Sequence, residues 1–149
     1  MEGTPVRVAR IIADAMPKYP NKKAALYFND LDAQKTDELR KYLPDDTNNF
    51  QIHFSADDGN NLLKDLHSNL LRRHNLNYLL FYDPYKAEID WEALKPYFFG
   101  WGEVILNHMV YDTNRAVTSA KLPQTIDRYE RTYLTSIEEL INLRGDKNA

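Results

Sequence analysis

Polar residues, mainly carboxylates, follow four apolar segments of the sequence, each where the segment ends. In chain order they are Asp30 and Asp32, Asp57 and Asp58, the turn Asp83-Pro84-Tyr85, and the group Asn107, His108 and Asp112. Ligands of an open parallel sheet bind beyond the carboxyl ends of its strands, so this pattern predicts a ligand site along one rim of a sheet. Aspartates at strand ends also cap the amides of following helices, and that alternative applies to the same residues.

The Asp83-Pro84-Tyr85 turn carries the most specific chemistry. Pro84 fixes its own φ and holds Asp83 extended, so the carbonyl and carboxylate of Asp83 would point stiffly off the strand end. Tyr85 offers a flat ring on which a planar base could stack. Such a corner could accept hydrogen bonds from an exocyclic amine while the nitrogen lone pair attacks a methyl donor. A rigid turn with Tyr85 packed over the rim explains the same residues equally well, and the sequence leaves both interpretations open.

Other kinds of catalytic or metal site find little support. The four histidines show no metal-ligand spacing, and the absence of cysteine excludes disulfides and thiolate sites. The sequence contains no Walker loop, no Gly-x-Ser-x-Gly elbow and no Gly-x-Gly-x-x-Gly turn. We therefore predict no metal in the site.

Length and composition describe a single globular domain. The chain has 149 residues, of which 43% are hydrophobic and 28% charged. A net charge of −3 does not indicate a nucleic-acid surface, although it does not exclude a nucleic-acid partner. No apolar run reaches the roughly 20 residues of a membrane helix, and no signal peptide opens the sequence. We expect no membrane partner and a cytoplasmic location.

Short apolar segments alternate with helical patterns, which predicts an α/β fold: a Rossmann-like three-layer sandwich with about four mostly parallel strands and helices on both faces. The strands are predicted at residues 24–29, 50–54, 78–82 and 103–110. The first and third are continuously apolar and are expected to be interior strands covered on both faces. The second alternates apolar and polar residues, which is typical of an edge strand.

Helices are predicted between these strands from caps and apolar spacing. Thr4 is the expected cap and Pro5 the first residue of the first helix, while Asp32 and Asp90 are expected to cap later helices. The predicted inner faces are Val8, Ile11, Ile12 and Ala15; Leu62, Leu63, Leu66 and Leu70; Trp91, Leu94 and Phe98; and, on one long C-terminal helix, Ile126, Tyr129, Tyr133, Ile137, Leu140 and Ile141.

Several short motifs follow one another along the sequence. They are Gly3-Thr4-Pro5, then ALYFNDLD, then Asp83-Pro84-Tyr85 followed by Ile89-Asp90-Trp91, and finally Asn114-Arg115. Together they resemble the three-Cys-motif partner proteins, a bacterial family similar to class I S-adenosylmethionine-dependent methyltransferases. The resemblance covers most of the chain up to about Arg115. Each motif is short, but their order and spacing agree with the family.

The resemblance implies S-adenosylmethionine as cofactor and assigns roles along the rim. Asp30 or Asp32 would bind the ribose hydroxyls of the cofactor, and Asp57 or Asp58 would lie near its adenine. Asp83-Pro84-Tyr85 would be the catalytic-loop motif, related to the Asp-Pro-Pro-Tyr of enzymes that methylate amines or nucleobases. This chain has one proline fewer, which weakens the assignment to amine methylation.

The family's first strand and glycine-rich turn precede the Gly-Ser/Thr-Pro motif, whereas this sequence begins with Met1-Glu2. We therefore expect the chain to be an excerpt of a longer protein, with seriously impaired affinity for S-adenosylmethionine. In the methyltransferase sheet the absent strand lies between residues 24–29 and 78–82, and its removal leaves a gap of roughly 10 Å. Those two strands could pair directly, or a partner chain could supply a strand.

Exposed strand edges recruit further strands. The alternative function is therefore a non-catalytic binding or assembly module, which recruits a protein partner or a second copy through its sheet edges.

Overall fold

The computed structural model describes residues 3–72, 76–84, 89–107 and 123–145. The chain divides into two compact units, Met1–Leu62 and Leu63–Ala149. Helices and short parallel strands make up both units, so the predicted α/β class is confirmed. The described strands form two sheets of two strands each, whereas the sequence predicted one sheet of about four.

The first unit is built around a parallel pair of strands. Its elements are α1 (Thr4–Ala15) with a 3-10 turn at Met16–Lys18, β1 (Ala24–Asn29), α2 (Ala33–Arg40) and β2 (Phe50–Ser55). The next helix, α3 (Gly59–Leu66), begins in the last residues of this unit and continues into the second. Ala24 lies opposite Phe50 and Asn29 opposite Ser55. The alternation predicted for β2 is confirmed, with Phe50 buried and Gln51 and His53 exposed. On β1, Ala25, Tyr27 and Asn29 are exposed. The prediction that this strand is covered on both faces is therefore wrong.

Two predictions for α1 are wrong. The N-cap is Gly3, which makes no side-chain cap hydrogen bond, and Thr4 is already helical. The buried residues are Val6 and Ala9, whereas Val8 and Ile11 of the predicted inner face are exposed. Apolar residues occur on several sides of this helix, so their spacing alone does not select the packed face. For α2 the predicted cap is confirmed, because Asp32 Oδ1 accepts from Gln34 N at 2.9 Å.

The second unit contains the other parallel pair. A π-helical turn at His67–Leu71 follows α3, and the later elements are β3 (Tyr78–Tyr82), α4 (Trp91–Leu94) with a 3-10 turn at Lys95–Phe98, β4 (Gly102–Leu106), α5 (Pro123–Tyr133) and α6 (Ile137–Gly145). Tyr78 lies opposite Gly102 and Tyr82 opposite Leu106. The buried core is Leu63, Ile89, Ala93, Leu94 and Tyr97, against which one face of the sheet packs.

Hydrogen bonds fix this core. The Tyr78 hydroxyl donates to the Tyr97 carbonyl at 2.5 Å, and the Tyr97 hydroxyl donates to the Leu63 carbonyl at 2.7 Å. The two tyrosine rings meet edge to face, 5.5 Å apart. Trp91 Nε1 donates to the Thr132 carbonyl at 2.9 Å, which attaches α5 to α4. Every one of these bonds joins segments far apart in sequence, so together they hold the unit in one arrangement.

Several predictions for the second unit are corrected. Leu79 and Phe81 of β3 are exposed, so β3 is not covered on both faces as predicted. Phe98, predicted to face inward, is exposed, and Tyr97 is buried in its place. The single C-terminal helix is two helices, separated where Leu134 adopts a left-handed φ of 55°.

The fourth strand was predicted at residues 103–110, but β4 ends at Leu106. Residues 108–110 of the predicted strand lie outside the described residues. β1 and β3 are not paired with each other, so the direct pairing considered from the sequence is not found for these strands. Among the helices of the described ranges, none is both long and apolar enough to cross a bilayer.

Candidate functional site

At the carboxyl end of the first sheet, Asn29 and Asp57 join the two loops that follow the strands. Asn29 Nδ2 donates to the Asp57 carbonyl at 3.0 Å, and Asp57 N donates to Asn29 Oδ1 at 3.4 Å. The strand ladder continues into the loop, since Asp30 N donates to the Ser55 carbonyl at 3.3 Å. The structure thereby brings Asp30, Asp32, Asp57 and Asp58 to one edge of this sheet.

These carboxylates also organise their own loops. Asp30 Oδ1 accepts from Asp32 N at 2.9 Å, and Asp30 Oδ2 lies 3.5 Å from Lys35 Nζ. Asp57 Oδ1 accepts from Asp58 N at 2.7 Å, and Asp58 Oδ1 accepts from Asn60 N at 2.8 Å. Each carboxylate thus has one oxygen in a local backbone hydrogen bond, which gives it a structural role whether or not it binds a ligand.

A cavity of about 160 Å³ lies beside Asp30. Pro5 at the start of α1, Asn29 and Asp30 after β1, and Lys35 and Thr36 of α2 contribute to its lining. The helix start carrying the Gly-Thr-Pro motif is therefore next to the proposed ribose-binding carboxylate. Binding pockets for ligands of drug size usually measure roughly 300–1,000 Å³. At about 160 Å³ the cavity is smaller than this range, and it has room for a group the size of a ribose.

At the carboxyl end of the second sheet, Asp83 and Asn107 form a comparable cross-link. Asn107 N donates to the Tyr82 carbonyl at 2.9 Å, and Asn107 Nδ2 donates to Asp83 Oδ1 at 2.9 Å. Asp83 is exposed and Pro84 is half-buried. The carboxylate is thus oriented by the neighbouring strand end, and its other oxygen makes no hydrogen bond to the residues that the structure describes.

Five positions of the predicted rim and motifs lie outside the described residues: Tyr85, His108, Asp112, Asn114 and Arg115. Asp30, Asp32, Asp57 and Asp58 belong to the first unit and Asp83 to the second. In the described ranges, no three histidine or acidic side chains are grouped as a metal site would require.

The sequence interpretation missed Asn29 and the pairing role of Asn107. Both residues follow or end a strand and face the loop of the neighbouring strand. A short amide side chain at a strand end, next to an aspartate in the adjacent loop, is the signal that could have identified them.

Asp90 has a structural role. Its Oδ1 accepts from Glu92 N and Ala93 N, which confirms the predicted cap of α4, and its Oδ2 lies 3.0 Å from Lys64 Nζ. The hydrogen bond from Lys64, with the two backbone amides, lowers the pKa of Asp90 below its usual value. Asp90 therefore caps α4 and links it to Lys64 of α3.

Comparison of the chain with protein-family models, with curated proteins and with solved structures found no match.

Proposed function

We propose that this chain is an S-adenosylmethionine-dependent methyltransferase-like domain of the three-Cys-motif partner type, with weak affinity for the cofactor. The observation that carries the proposal is the strand pairing. β1 pairs with β2 and β3 with β4, both in parallel, and aspartates stand at the carboxyl end of each pair. In the methyltransferase sheet these same pairs occur with a further strand between them. This agreement supports a Rossmann-like three-layer sandwich as the parent fold.

The proposed cofactor side is the rim of the first sheet. Asp30 would accept hydrogen bonds from ribose hydroxyls, since it borders the cavity that also contacts Pro5. To do so it would have to exchange the Lys35 ammonium, 3.5 Å away, for the ligand. Asp57 and Asp58 would lie near the adenine, with Asp32 remaining the cap of α2. The competition at Asp30 is one physical reason for weak binding.

The proposed acceptor side is the rim of the second sheet. With Oδ1 of Asp83 held by Asn107, its second oxygen and its carbonyl would accept N–H groups of an amine or nucleobase substrate. Pro84 would keep this corner stiff. The cavity beside Asp30 is smaller than the usual range of ligand pockets, so we propose no methyl transfer by this chain alone.

The expected affinity follows from the size of the cavity. A ribose-sized group has about ten heavy atoms, and about 0.3–0.4 kcal/mol per atom gives about 3–4 kcal/mol of binding free energy. That value corresponds to a dissociation constant of roughly 1–10 mM.

Isothermal calorimetry with S-adenosylmethionine and S-adenosylhomocysteine tests the proposal. Asp30→Asn should weaken binding further, because ribose hydroxyls bind a carboxylate better than a neutral amide. Asp37→Asn, on the exposed surface of the same helix as Lys35, is the matched control and should bind as the parent chain does. An equal effect of both variants, or no heat at concentrations of about 10 mM, would contradict the proposal.

A second candidate function is an assembly module that recruits a strand. Two hydrogen bonds connect the ends of β3 to β4: Tyr78 N donates to the Trp101 carbonyl, and Asn107 N donates to the Tyr82 carbonyl. In a parallel pair this means that the backbone groups of Tyr78, Leu80 and Tyr82 point toward β4. The backbone groups of Leu79 and Phe81 therefore face the other edge of β3, where no described strand pairs with them. Such an edge is a template for strand addition.

Amide hydrogen exchange combined with analytical ultracentrifugation tests this candidate. If the edge recruits a second copy, the Leu79 and Phe81 amides should become protected as the oligomer forms with rising concentration. Rapid exchange of both amides in a sample that has already oligomerised would exclude this edge as the contact.

A further inference from the structure

A second and larger cavity lies at the amino end of the second sheet, the opposite end from Asp83. Its volume is about 340 Å³, within the lower range of ligand-binding pockets. It is lined by Asn77, Tyr78, Leu79, Trp101, Gly102 and Glu103. Neither the proposed cofactor side nor the proposed acceptor side uses these residues.

The cavity opens onto an exposed apolar sheet face. Leu79 and Phe81 of β3 are 64% and 60% exposed, and Ile105 of β4 is 47% exposed. The register places Leu79 opposite Glu103 and Phe81 opposite Ile105, so the four side chains share one face. Trp101, 79% exposed, precedes β4 in the same alternation. Folded chains rarely leave such a row of large apolar side chains in water unless it binds something.

The charge of Glu103 indicates which kind of molecule this face would bind. It is the one acidic side chain in the row, and it makes no ion pair or hydrogen bond with any residue in the described ranges. Trp101 lies two residues away on the same side, at a distance of about 7 Å along the strand. A cation between them would meet the carboxylate on one side and the indole face on the other, and both contacts are attractive.

A second copy of the chain is a poorer occupant. In a two-fold contact the same patch meets itself, so a contact whose axis passes near Glu103 would bring the two Glu103 carboxylates together. Like charges at an interface are costly, so this face disfavours self-association.

We propose that the exposed face of the β3–β4 sheet, with Leu79, Phe81, Trp101, Glu103 and Ile105, binds an apolar segment of a partner protein that carries arginine. The apolar side chains of the partner cover Leu79, Phe81 and Ile105, and its guanidinium occupies the cavity between Trp101 and Glu103. Arginine is preferred to lysine because its planar group can stack on an indole while donating to a carboxylate. The site does not depend on cofactor binding or on strand addition at the β3 edge.

Fluorescence anisotropy with the full chain and a labelled, end-blocked peptide of alternating leucine and arginine tests the proposal. Peptides in which glutamate or serine replaces arginine serve as charge controls. The arginine peptide should bind at least about five-fold more tightly than the serine peptide, and the glutamate peptide should bind most weakly. Raising the salt concentration to about 1 M should remove most of this difference.

Variants locate the site. Glu103→Gln keeps the shape and should weaken binding of the arginine peptide about three-fold, and Trp101→Ala should weaken it about ten-fold. Glu138→Gln, an exposed glutamate of α6 in the same unit, is the matched control and should leave binding within about two-fold. Near-ultraviolet circular dichroism of each variant checks that the fold is retained.

Equal binding of the arginine and glutamate peptides would overturn the proposal, as would an effect of Glu103→Gln no larger than that of Glu138→Gln. Sedimentation of the chain alone as a dimer that Trp101→Ala dissociates would assign the face to a second copy instead.

Discussion

Replacing Gly102 with alanine is expected to destabilise the second unit, because the glycine lies directly against the ring of Tyr78. A Cβ atom added at Gly102 would contact Cδ2, Cε2 and Cγ of Tyr78 at distances that real side chains do not reach. The φ of Gly102 is not positive, so the close approach to the ring, and not backbone freedom, makes glycine necessary here.

The magnitude follows from what the Tyr78 ring would lose by moving. Its hydroxyl bond to the Tyr97 carbonyl contributes about 1 kcal/mol, and its edge-to-face contact with the Tyr97 ring about 0.5–1.5 kcal/mol. Overpacking a filled site costs about 1–3 kcal/mol. Since these contributions overlap, we expect a loss of about 2–3 kcal/mol in unfolding free energy. The corresponding fall in the urea midpoint is about 1–2 M.

Urea unfolding followed by tryptophan fluorescence measures this loss, since both tryptophans, Trp91 and Trp101, lie in the second unit. Gly59→Ala is the control, since Gly59 begins α3, the helix that carries Leu63 of the second unit's core. Its added Cβ would meet only Asn29 Nδ2 at 3.5 Å, an ordinary contact, and alanine favours a helix. In a Tyr78→Ala background, Gly102→Ala should cost little, because the colliding ring is gone. A Gly102→Ala variant within about 0.5 kcal/mol of the parent chain would refute the reasoning.

Three further predictions concern pH and backbone strain. Burial raises the pKa of Tyr97 to about 12, from about 10 in the unfolded chain. The contribution of Tyr97 to the unfolding free energy is therefore intact below about pH 10 and is lost as the pH rises from there to about 12. Tyr97→Phe should lose this alkaline dependence when urea unfolding is measured across that pH range. The lowered pKa of Asp90 means that its ion pair with Lys64 stabilises above about pH 4 and is lost as the pH falls through that lowered value; Asp90→Asn, which keeps a capping side chain, should cost about 0.5–1 kcal/mol at neutral pH and nothing in acid. Leu134→Gly should raise the melting temperature by relieving about 1 kcal/mol of left-handed strain at an exposed residue, whereas Leu31→Gly, also exposed but without positive φ, should not.

The outcomes that contradict these predictions are distinct. Identical alkaline unfolding of Tyr97→Phe and the parent chain would show that another group controls it. A stability difference for Asp90→Asn that persists unchanged in acid would exclude the ion pair as its cause. A lower melting temperature for Leu134→Gly would mean that the Leu134 side chain contributes more than its backbone conformation costs.

Local chemistry made several features predictable from the sequence. The bounds of β1 and β3 match the predicted Ala24–Asn29 and Tyr78–Tyr82, because each apolar run is bounded by polar or proline-containing turns. The caps Asp32 and Asp90 were predictable because a cap needs only a short polar side chain followed by helical residues.

Features that depend on packing were not predictable. Apolar residues on several sides of α1 left its buried face undetermined. The break at Leu134 contains no glycine or proline, and its one local signal is Ser136 followed by Glu139, whose N donates to Ser136 Oγ. The exposure of Leu79 and Phe81 likewise contradicts their apolar character, which by itself favours burial.

Of the candidate site, too, one part could be predicted from the sequence and another could not. Aspartates at strand ends identified the rims, since the carboxyl ends of parallel strands share an edge. The bonds from Asn29 to Asp57 and from Asn107 to Asp83 could not be read from the sequence, because they depend on the register between strands.

The most direct test of the central claim, a methyltransferase-like domain with a weak cofactor side at Asp30, is a titration with S-adenosylhomocysteine followed by proton–nitrogen correlation spectra. We expect the amide signals of Asp30, Lys35 and Thr36, which border the small cavity, to shift together with a dissociation constant of roughly 1–10 mM. The absence of shifts at these residues at about 10 mM ligand, or shifts confined to residues 101–103, would contradict the account.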